Sequence, residues 1–510
     1  MAVENLEEFI IDNFSKGLDL SEDPRSLNEY ASPDTQNVRF LGTTFYSRPG
    51  YEAYLDTLTG SGFLGLHPWI KNDSLVSAHG GKIYRGDEIT NAWIEIPGSF
   101  NSTAEVGFQE YLGDIYLGNA VDAFTRIQHT SYTKTEPAGA PLGNIFNAWA
   151  EKMWVAGQTA NPRTLYYSRT ASAANPEYIY DFSGTGSGSE LLGKEGNITG
   201  LSATKNALIV FKNNECYYIR TFDSTTLAPS IELLSGKNGC AGRKAYCKVK
   251  DEIYFFTGTE VRLVAEYQGY PNLYTSPISN SIRRYLTSEL DADQSGAVMA
   301  FDENANLLKL WVKLEGATNY NICLVYHFDE ANKTWTIDTG KTASQAVSFG
   351  NVVYWSSSVV GRVWKDEIGS SDDVGTIEAY RWSKLRKLYS EKGRKKFRYL
   401  TLAGSMDVDT TIDIKLYIDG SLVKEETITS SDVIGDASSG IGPVGTYPVG
   451  TAPVGGVNNQ IRQFEKRIKL NKIGRYVQLY IGSSTLGGWY QVTDEAYSYI
   501  PMPRATEKNY

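Results

Sequence analysis

Histidine and cysteine are both scarce in this 510-residue chain, with four copies of each. His67, His79, His129 and His327 stand far apart, with no HExxH and no spacing that would place two ligands on one metal. Each reads as a structural or surface residue. Cys216, Cys240, Cys247 and Cys323 form no CxxC pair and read as buried free thiols, with a Cys240–Cys247 bridge as the alternative. No apolar run reaches the roughly 18 residues that cross a bilayer, so no membrane-spanning segment is expected. The opening MAVENLEEFIIDNFSKG is acidic where a secretory leader is basic, and the expectation is folding in the cytosol of the producing cell. Helical periodicity is rare, and no GxSxG, Walker A or GxGxxG element joins a strand to a helix. Nucleophilic catalysis and nucleotide binding therefore find no support, and the chain is read as a non-enzyme without a cofactor. Basic residues are also outnumbered, 49 Lys and Arg against 59 Asp and Glu. A net charge of −10 excludes a general affinity for nucleic-acid phosphate and leaves room only for local basic patches.

What the chain has is aromatic residues, glycine and repetition. The 34 Tyr and 10 Trp suit half-buried pleated surfaces and interfaces, and the 48 Gly suit turns with positive φ. From residue 60 onward a hydrophobic run recurs between polar turns. The runs are Leu75–Ala78, Asp114–Gly118, Lys152–Ala156, Ala207–Phe211, Glu252–Phe256, Leu308–Val312 and Val352–Trp355. Their spacing, on the order of 40–55 residues, is that of a four-stranded propeller blade. Asn72-Asp73, Gly80-Gly81, Asn213-Asn214 and Gly258-Thr259 supply turn punctuation. The expected fold is all-β: a β-propeller of about seven blades over residues 61–389. A series of β-sandwiches is the alternative. Residues 1–60 read as an extended arm with a strand pair around Gly42, packing on the C-terminal domain. Residues 390–510 read as a β-sandwich-like platform containing an Asp419-Gly420 hairpin turn. Within it a Pro-Val-Gly repeat over 441–456 reads as a flexible loop.

Three sets of residues are candidates for function. The first is a basic cluster of Lys384, Arg386, Lys387, Lys392, Arg394, Lys395, Lys396 and Arg398, a connector or intersubunit surface with DNA contact as the alternative. The second is the repeat's Pro443, Val444, Gly445, Pro448, Gly450, Pro453 and Gly455, a gate or contact loop. The third is the loop acids Asp291, Asp293, Glu303, Asp329 and Glu330, tested against the paired carboxylates of glycosidases. They read as solvated, and FDEANKTWTI lacks the glycine of a sialidase-type Asp box. Asp291-Ala-Asp293-Gln-Ser295-Gly296 opens like a calcium loop without its closing carboxylate. Trp69, Trp93 and Trp335 are candidate stacking platforms for a carbohydrate.

The stretch Asn13-Phe-Ser-Lys-Gly17-Leu-Asp19, then Ala31-Ser-Pro-Asp-Thr-Gln-Asn37-Val-Arg39-Phe and Ser47-Arg48-Pro49-Gly50-Tyr51, resembles the opening of tailed-bacteriophage virion proteins. With Lys395-Lys-Phe-Arg398 and Tyr417-Ile-Asp419-Gly420, the layout resembles the tail nozzle, or tail tubular protein B-like, family of short-tailed phages. The resemblance covers about a quarter of the chain. It implies a structural protein of the virion tail, a cyclic homo-oligomer (a hexamer) below the portal and adaptor ring. Neighbouring tail fibres or spikes would be its other partners, with DNA only in transit. A receptor- or carbohydrate-binding propeller is the second expectation, and a polysaccharide-degrading glycosidase the third.

Overall fold

The computed structural model describes residues 6–502 except 61, 267–272, 329–332, 358–359, 389–392 and 435–460. The chain is all-β, with one short α-helix, Arg283–Ser288, among the described residues. Seven small antiparallel sheets of four strands follow one another along the chain, the first six with all four strands in sequence order. They begin with Phe63–Trp69, Gly107–Tyr111, Ile145–Trp149, Ile198–Ala203, Tyr246–Val249, Val298–Asp302 and Ala343–Phe349. The seven hydrophobic runs of the sequence fall on the second strand of each sheet, where almost every residue is buried. Continuous apolar strands are what a sheet covered on both faces requires.

The first strand of each sheet packs against the first strand of the next, and that of the seventh packs against that of the first. Small residues allow the approach. A Cβ on Gly107 would lie 2.2 Å from the Asn144 carbonyl oxygen, so the second and third sheets meet there backbone to backbone. The hairpin between the second and third strands of the first sheet turns on Gly80 and Gly81, at φ of 57° and 80°. Such a two-residue turn matches the twist of the flanking strands.

The seventh sheet is completed from the other end of the chain. Its fourth strand is Tyr51–Tyr54, paired antiparallel to Val363–Asp366. Residues 1–60 therefore do not form a separate arm throughout, because their last strand belongs to the repeated body. At the other boundary, Ala379–Trp382 lies in the C-terminal body, ahead of residue 390.

That body consists of two sheets around one core. A long sheet runs Val38–Leu41, Thr44–Ser47, Tyr490–Pro501, Lys395–Met406, Arg462–Gly474, Val433–Ile434, and Glu7–Ile11 also pairs with Tyr490–Pro501. A shorter one runs Asp34–Gln36, Ala379–Trp382, Val477–Ser483, Ile412–Ile418, Ser421–Ile428. Strict alternation in Ile412–Ile418 sends Ile412, Ile414, Leu416 and Ile418 inward against Leu400, Leu402 and Ile468. The Asp419-Gly420 hairpin forms where expected, with φ of 50° and 80°.

Replacing Gly107 with alanine forces the second and third sheets apart. A loss of about 1–3 kcal/mol is expected, read as a lower midpoint in thermal or urea unfolding.

Candidate functional site

The chain's densest polar chemistry lies where the opening segment meets the repeated body. Asn37 takes a left-handed conformation at φ 53° between the strands Asp34–Gln36 and Val38–Leu41, where the chain passes from the shorter sheet to the longer one. Its amide nitrogen donates to the Thr339 hydroxyl (2.9 Å) and the Glu378 carbonyl (2.8 Å), and its Oδ1 accepts from Arg48 Nε (2.8 Å). Arg39 follows, its guanidinium donating to both carboxylate oxygens of Asp338 (2.6 and 2.7 Å) and to Glu367 (2.6 Å). Arg48, at the end of Thr44–Ser47, clasps Asp372 with two hydrogen bonds of 2.7 and 2.6 Å. Gly50 then passes so close to Ser371 that any side chain there would strike its carbonyl.

Two lysines complete the array. Lys309 reaches Asp366 (2.7 Å) and Glu367 (2.8 Å), and Lys341 reaches Asp366 (2.8 Å) and Asp338 (3.1 Å). Four cations thus face four carboxylates, and all eight side chains are at most 9% exposed. Burial by itself raises the carboxyl pKa of Asp338, but Arg39 and Lys341 hold it well below the usual range. Glu367 is held down in the same way by Arg39 and Lys309. Asp302, buried beside them, is pushed upward by burial in spite of Lys309.

A second buried array fixes residues 27–32 on the C-terminal body. Glu495, fully buried, accepts from Arg381 (2.6 Å) and Arg386 (2.5 Å), and Arg381 also donates to the Ser32 hydroxyl (2.7 Å). Lys384 donates to the Leu27 carbonyl (2.6 Å) and to Glu29 (2.9 Å).

This placement divides the basic cluster, expected as a connector or intersubunit surface with DNA contact as the alternative, into buried and exposed members. Lys384, Arg386 and Lys395 are buried, the last donating to the Lys387 carbonyl, and they cannot meet a passing phosphate. Lys387 and Arg394 are exposed, Lys396 and Arg398 are half-buried, and Lys392 lies outside the described residues. The loop residues Pro443, Val444, Gly445, Pro448, Gly450, Pro453 and Gly455 also lie outside the described residues.

The tryptophans proposed as carbohydrate platforms are core residues. Trp69 and Trp335 are 0% and 1% exposed, with their indole nitrogens donating to the Gly113 and Ile278 carbonyls, and Trp93 packs on Tyr54 and Phe63. Asp291 pairs with Lys313 at 3.2 Å, Asp293 caps the Ser295 backbone and Glu303 is exposed, while Asp329 and Glu330 lie outside the described residues. Among the described residues no three His, Cys, Asp or Glu side chains converge as metal ligands. All four cysteines are free, so the Cys240–Cys247 bridge is absent. His129 is held by Asp114 (2.8 Å), and His327 lies 3.3 Å from the Thr336 hydroxyl.

One further group joins non-adjacent sheets at the starts of their first strands. Lys244, just before Tyr246–Val249, reaches Glu105 (2.9 Å) and the Ser344 carbonyl (2.7 Å), and Arg243 pairs with the same Glu105. Burial and the adjacent Arg243 push Lys244 down to about 7, whereas Glu105 in direct contact favours its charged form. The contact geometry makes it an ion pair. The strut connects the second, fifth and seventh sheets.

No family model matches the chain, and no curated protein matches it either.

Replacing Asp338 by asparagine leaves four buried cations facing three carboxylates. A loss of about 3–5 kcal/mol is expected, whereas Arg39→Met with Asp338→Leu falls well short of that. Urea unfolding of the three proteins distinguishes the outcomes. Histidines set a second expectation. Burial pushes His327 down to about 3 and His67 to about 4. Below pH 6.5 the unfolded chain binds these protons and the folded chain does not. Stability therefore falls as the pH drops through this window, by up to about 1.4 kcal/mol per pH unit for each histidine. Asp407, pushed up to about 6 by burial, has the opposite sign, since its folded form takes the proton first. His327→Gln should accordingly lose less stability than the parent protein between pH 6.5 and 4 in urea titrations.

Proposed function

We propose that the seven sheets are the blades of a β-propeller, and that the protein is a structural ring subunit of a bacteriophage tail, a nozzle through which DNA leaves the particle. The cyclic contacts of the seven first strands support the propeller, as does the completion of the last sheet by Tyr51–Tyr54, which ties the ends of the repeat together. The Lys244–Glu105–Ser344 strut supports it too, since it requires three sheets to face a shared axis.

The observation that carries the functional reading is where the family-like residues act. Asn37, Arg39, Arg48 and Gly50, four of the residues on which the likeness to nozzle proteins rests, bolt the C-terminal platform to the repeated body. Residues that join two bodies rigidly suit a structural subunit. In this reading the duplex does not pass along the propeller axis, which first strands and the Lys244 strut fill. The conduit lies between copies, and heterologous contacts with a suitable rotation close such copies into a ring.

Negative-stain imaging and light scattering of the purified protein test the reading. Closed rings with a central opening are expected. A protein that stays monomeric at high concentration and low salt, or that binds glycans as a monomer, would contradict it.

A further inference from the structure

The shorter sheet of the C-terminal body buries one face in the shared core and turns the other outward. Alternation sends Tyr380 and Trp382 of Ala379–Trp382, Tyr480 of Val477–Ser483 and Tyr417 of Ile412–Ile418 to the outward face, where all four are half-buried. Register explains why they meet. Trp382 lies directly opposite Tyr480, and Tyr380 lies opposite Gly482. A Cβ on Gly482 would come within 2.6 Å of the Tyr480 hydroxyl and 2.8 Å of the Tyr380 Cβ, so only a glycine lets Tyr480 lean across this position. Between ring centroids, Tyr480 is 5.6 Å from Tyr380 and 5.2 Å from Trp382, and Trp382 is 5.4 Å from Tyr417. The rings form one continuous surface.

Charges stand mostly at its margins. Asp34 lies 3.5 Å from the Tyr380 hydroxyl, Asp413 accepts from the Thr427 hydroxyl (2.9 Å), Glu378 is exposed beside Tyr380, and Lys387 lies over Tyr476 at the far end. The one cation among the rings, Lys415, lies over Tyr480 and is paired with Glu425 at 3.3 Å. A surface of half-exposed rings suits an extended segment that carries proline, because proline stacks on aromatic rings and its stiff backbone loses little entropy on docking.

Such a segment belongs to this chain. Residues 441–456 hold Pro443, Pro448 and Pro453 and no charged side chain. They lie outside the described residues, but the chain on either side of them is placed. Val433–Ile434 begins five residues after Ser421–Ile428, the edge strand of the shorter sheet, and pairs with the start of Arg462–Gly474. The chain therefore leaves and returns beside that edge. Tyr417 and Tyr480 sit one and two strands in from it, roughly 5 and 10 Å away. The 26 residues 435–460 can reach about 40 Å out and back when extended. A tether of this length also holds the segment at a high local concentration, so a contact too weak to capture a free peptide from dilute solution still fills the face.

We propose that the aromatic face formed by Tyr380, Trp382, Tyr417 and Tyr480 is the docking site of the proline-bearing segment 441–456 of the same chain. The inference concerns a single copy and does not rest on the ring reading.

Two measurements on the full-length protein test it. The first is limited digestion by elastase, which cuts after small apolar residues such as Val444 and Val449. Trp382→Ser with Tyr417→Ser should speed cleavage there at least tenfold, while Trp382→Phe with Tyr417→Phe should leave it near the parental rate. Unchanged thermal melting would establish that each variant is folded. The second measurement changes no ring. A fluorescein-labelled peptide of residues 441–456 should bind, in fluorescence polarisation, to a variant with a Gly-Ser linker of equal length in place of 441–456. It should bind at least tenfold more weakly to the parent, whose own segment fills the face. Cleavage of Trp382→Ser with Tyr417→Ser at the parental rate would refute the docking site, as would a peptide that binds parent and linker variant alike or neither. Protection from elastase that grows with protein concentration would place the segment on a neighbouring copy, and the inference would fall.

Discussion

The structure depends on a buried charge balance at Asp338. Four cations and four carboxylates occupy one nearly water-free volume, and none of them is tolerable there alone. Desolvating an ion costs several kcal/mol even after relaxation, so the array stabilises only when it is complete. That makes it a register device. Arg39 and Arg48 come from the opening segment, Lys309 and Asp338 from the sixth sheet, and Lys341, Asp366, Glu367 and Asp372 from around the seventh. Any slippage of one segment against the others would leave a charge unpaired. The opening segment buries Ile11, Phe14, Val38, Phe40 and Phe45 in the platform core, and the array fixes its register against the repeated body.

The same segment serves both bodies. Val38 and Phe45 point into the platform core, while Arg39 and Arg48 point into the repeated body, as alternation along short strands requires. Tyr51–Tyr54 then completes the seventh sheet, which would otherwise end on an open edge at Val363–Asp366. The chain's first fifty-odd residues thus close a sheet and join two cores whose strands lie hundreds of residues away. Closure by a distant strand raises the contact order, which slows folding.

Much of the fold was legible because its signal is local. The seven continuous runs, from Leu75–Ala78 to Val352–Trp355, fall on second strands because a strand covered on both faces must be apolar at every position. Gly80-Gly81 and Asp419-Gly420 marked hairpins because only such residues take positive φ cheaply. Two features were not legible for the opposite reason. Tyr51–Tyr54 looks like any short strand, and nothing near it in sequence names Val363–Asp366 as its partner. The basic cluster looked like one surface because Lys384, Arg386 and Lys395 are close in sequence. Their acceptors, Leu27, Glu29 and Glu495, are about a hundred or several hundred residues away, except for the Lys387 carbonyl. Tryptophan carries a similar ambiguity: Trp69, Trp93 and Trp335 have the side chain of a stacking platform, and only burial reveals them as core. Asn37, Arg39 and Arg48 were visible as polar residues of the opening segment, but their partners, some 300 positions on, were not.

This arrangement divides charge by purpose. Cations that meet a carboxylate inside the chain, such as Arg39, Lys309 and Arg386, serve the fold, and their partners neutralise them. Arg467 and Lys469, on the outward face of the long sheet, make no ion pair among the described residues although the exposed Glu465 shares their face, and charges left to water in this way add little to the fold. The junction at Asp338 holds the platform in one seat against the repeated body, because any shift would separate buried charges from their partners, and that costs far more than breaking exposed pairs.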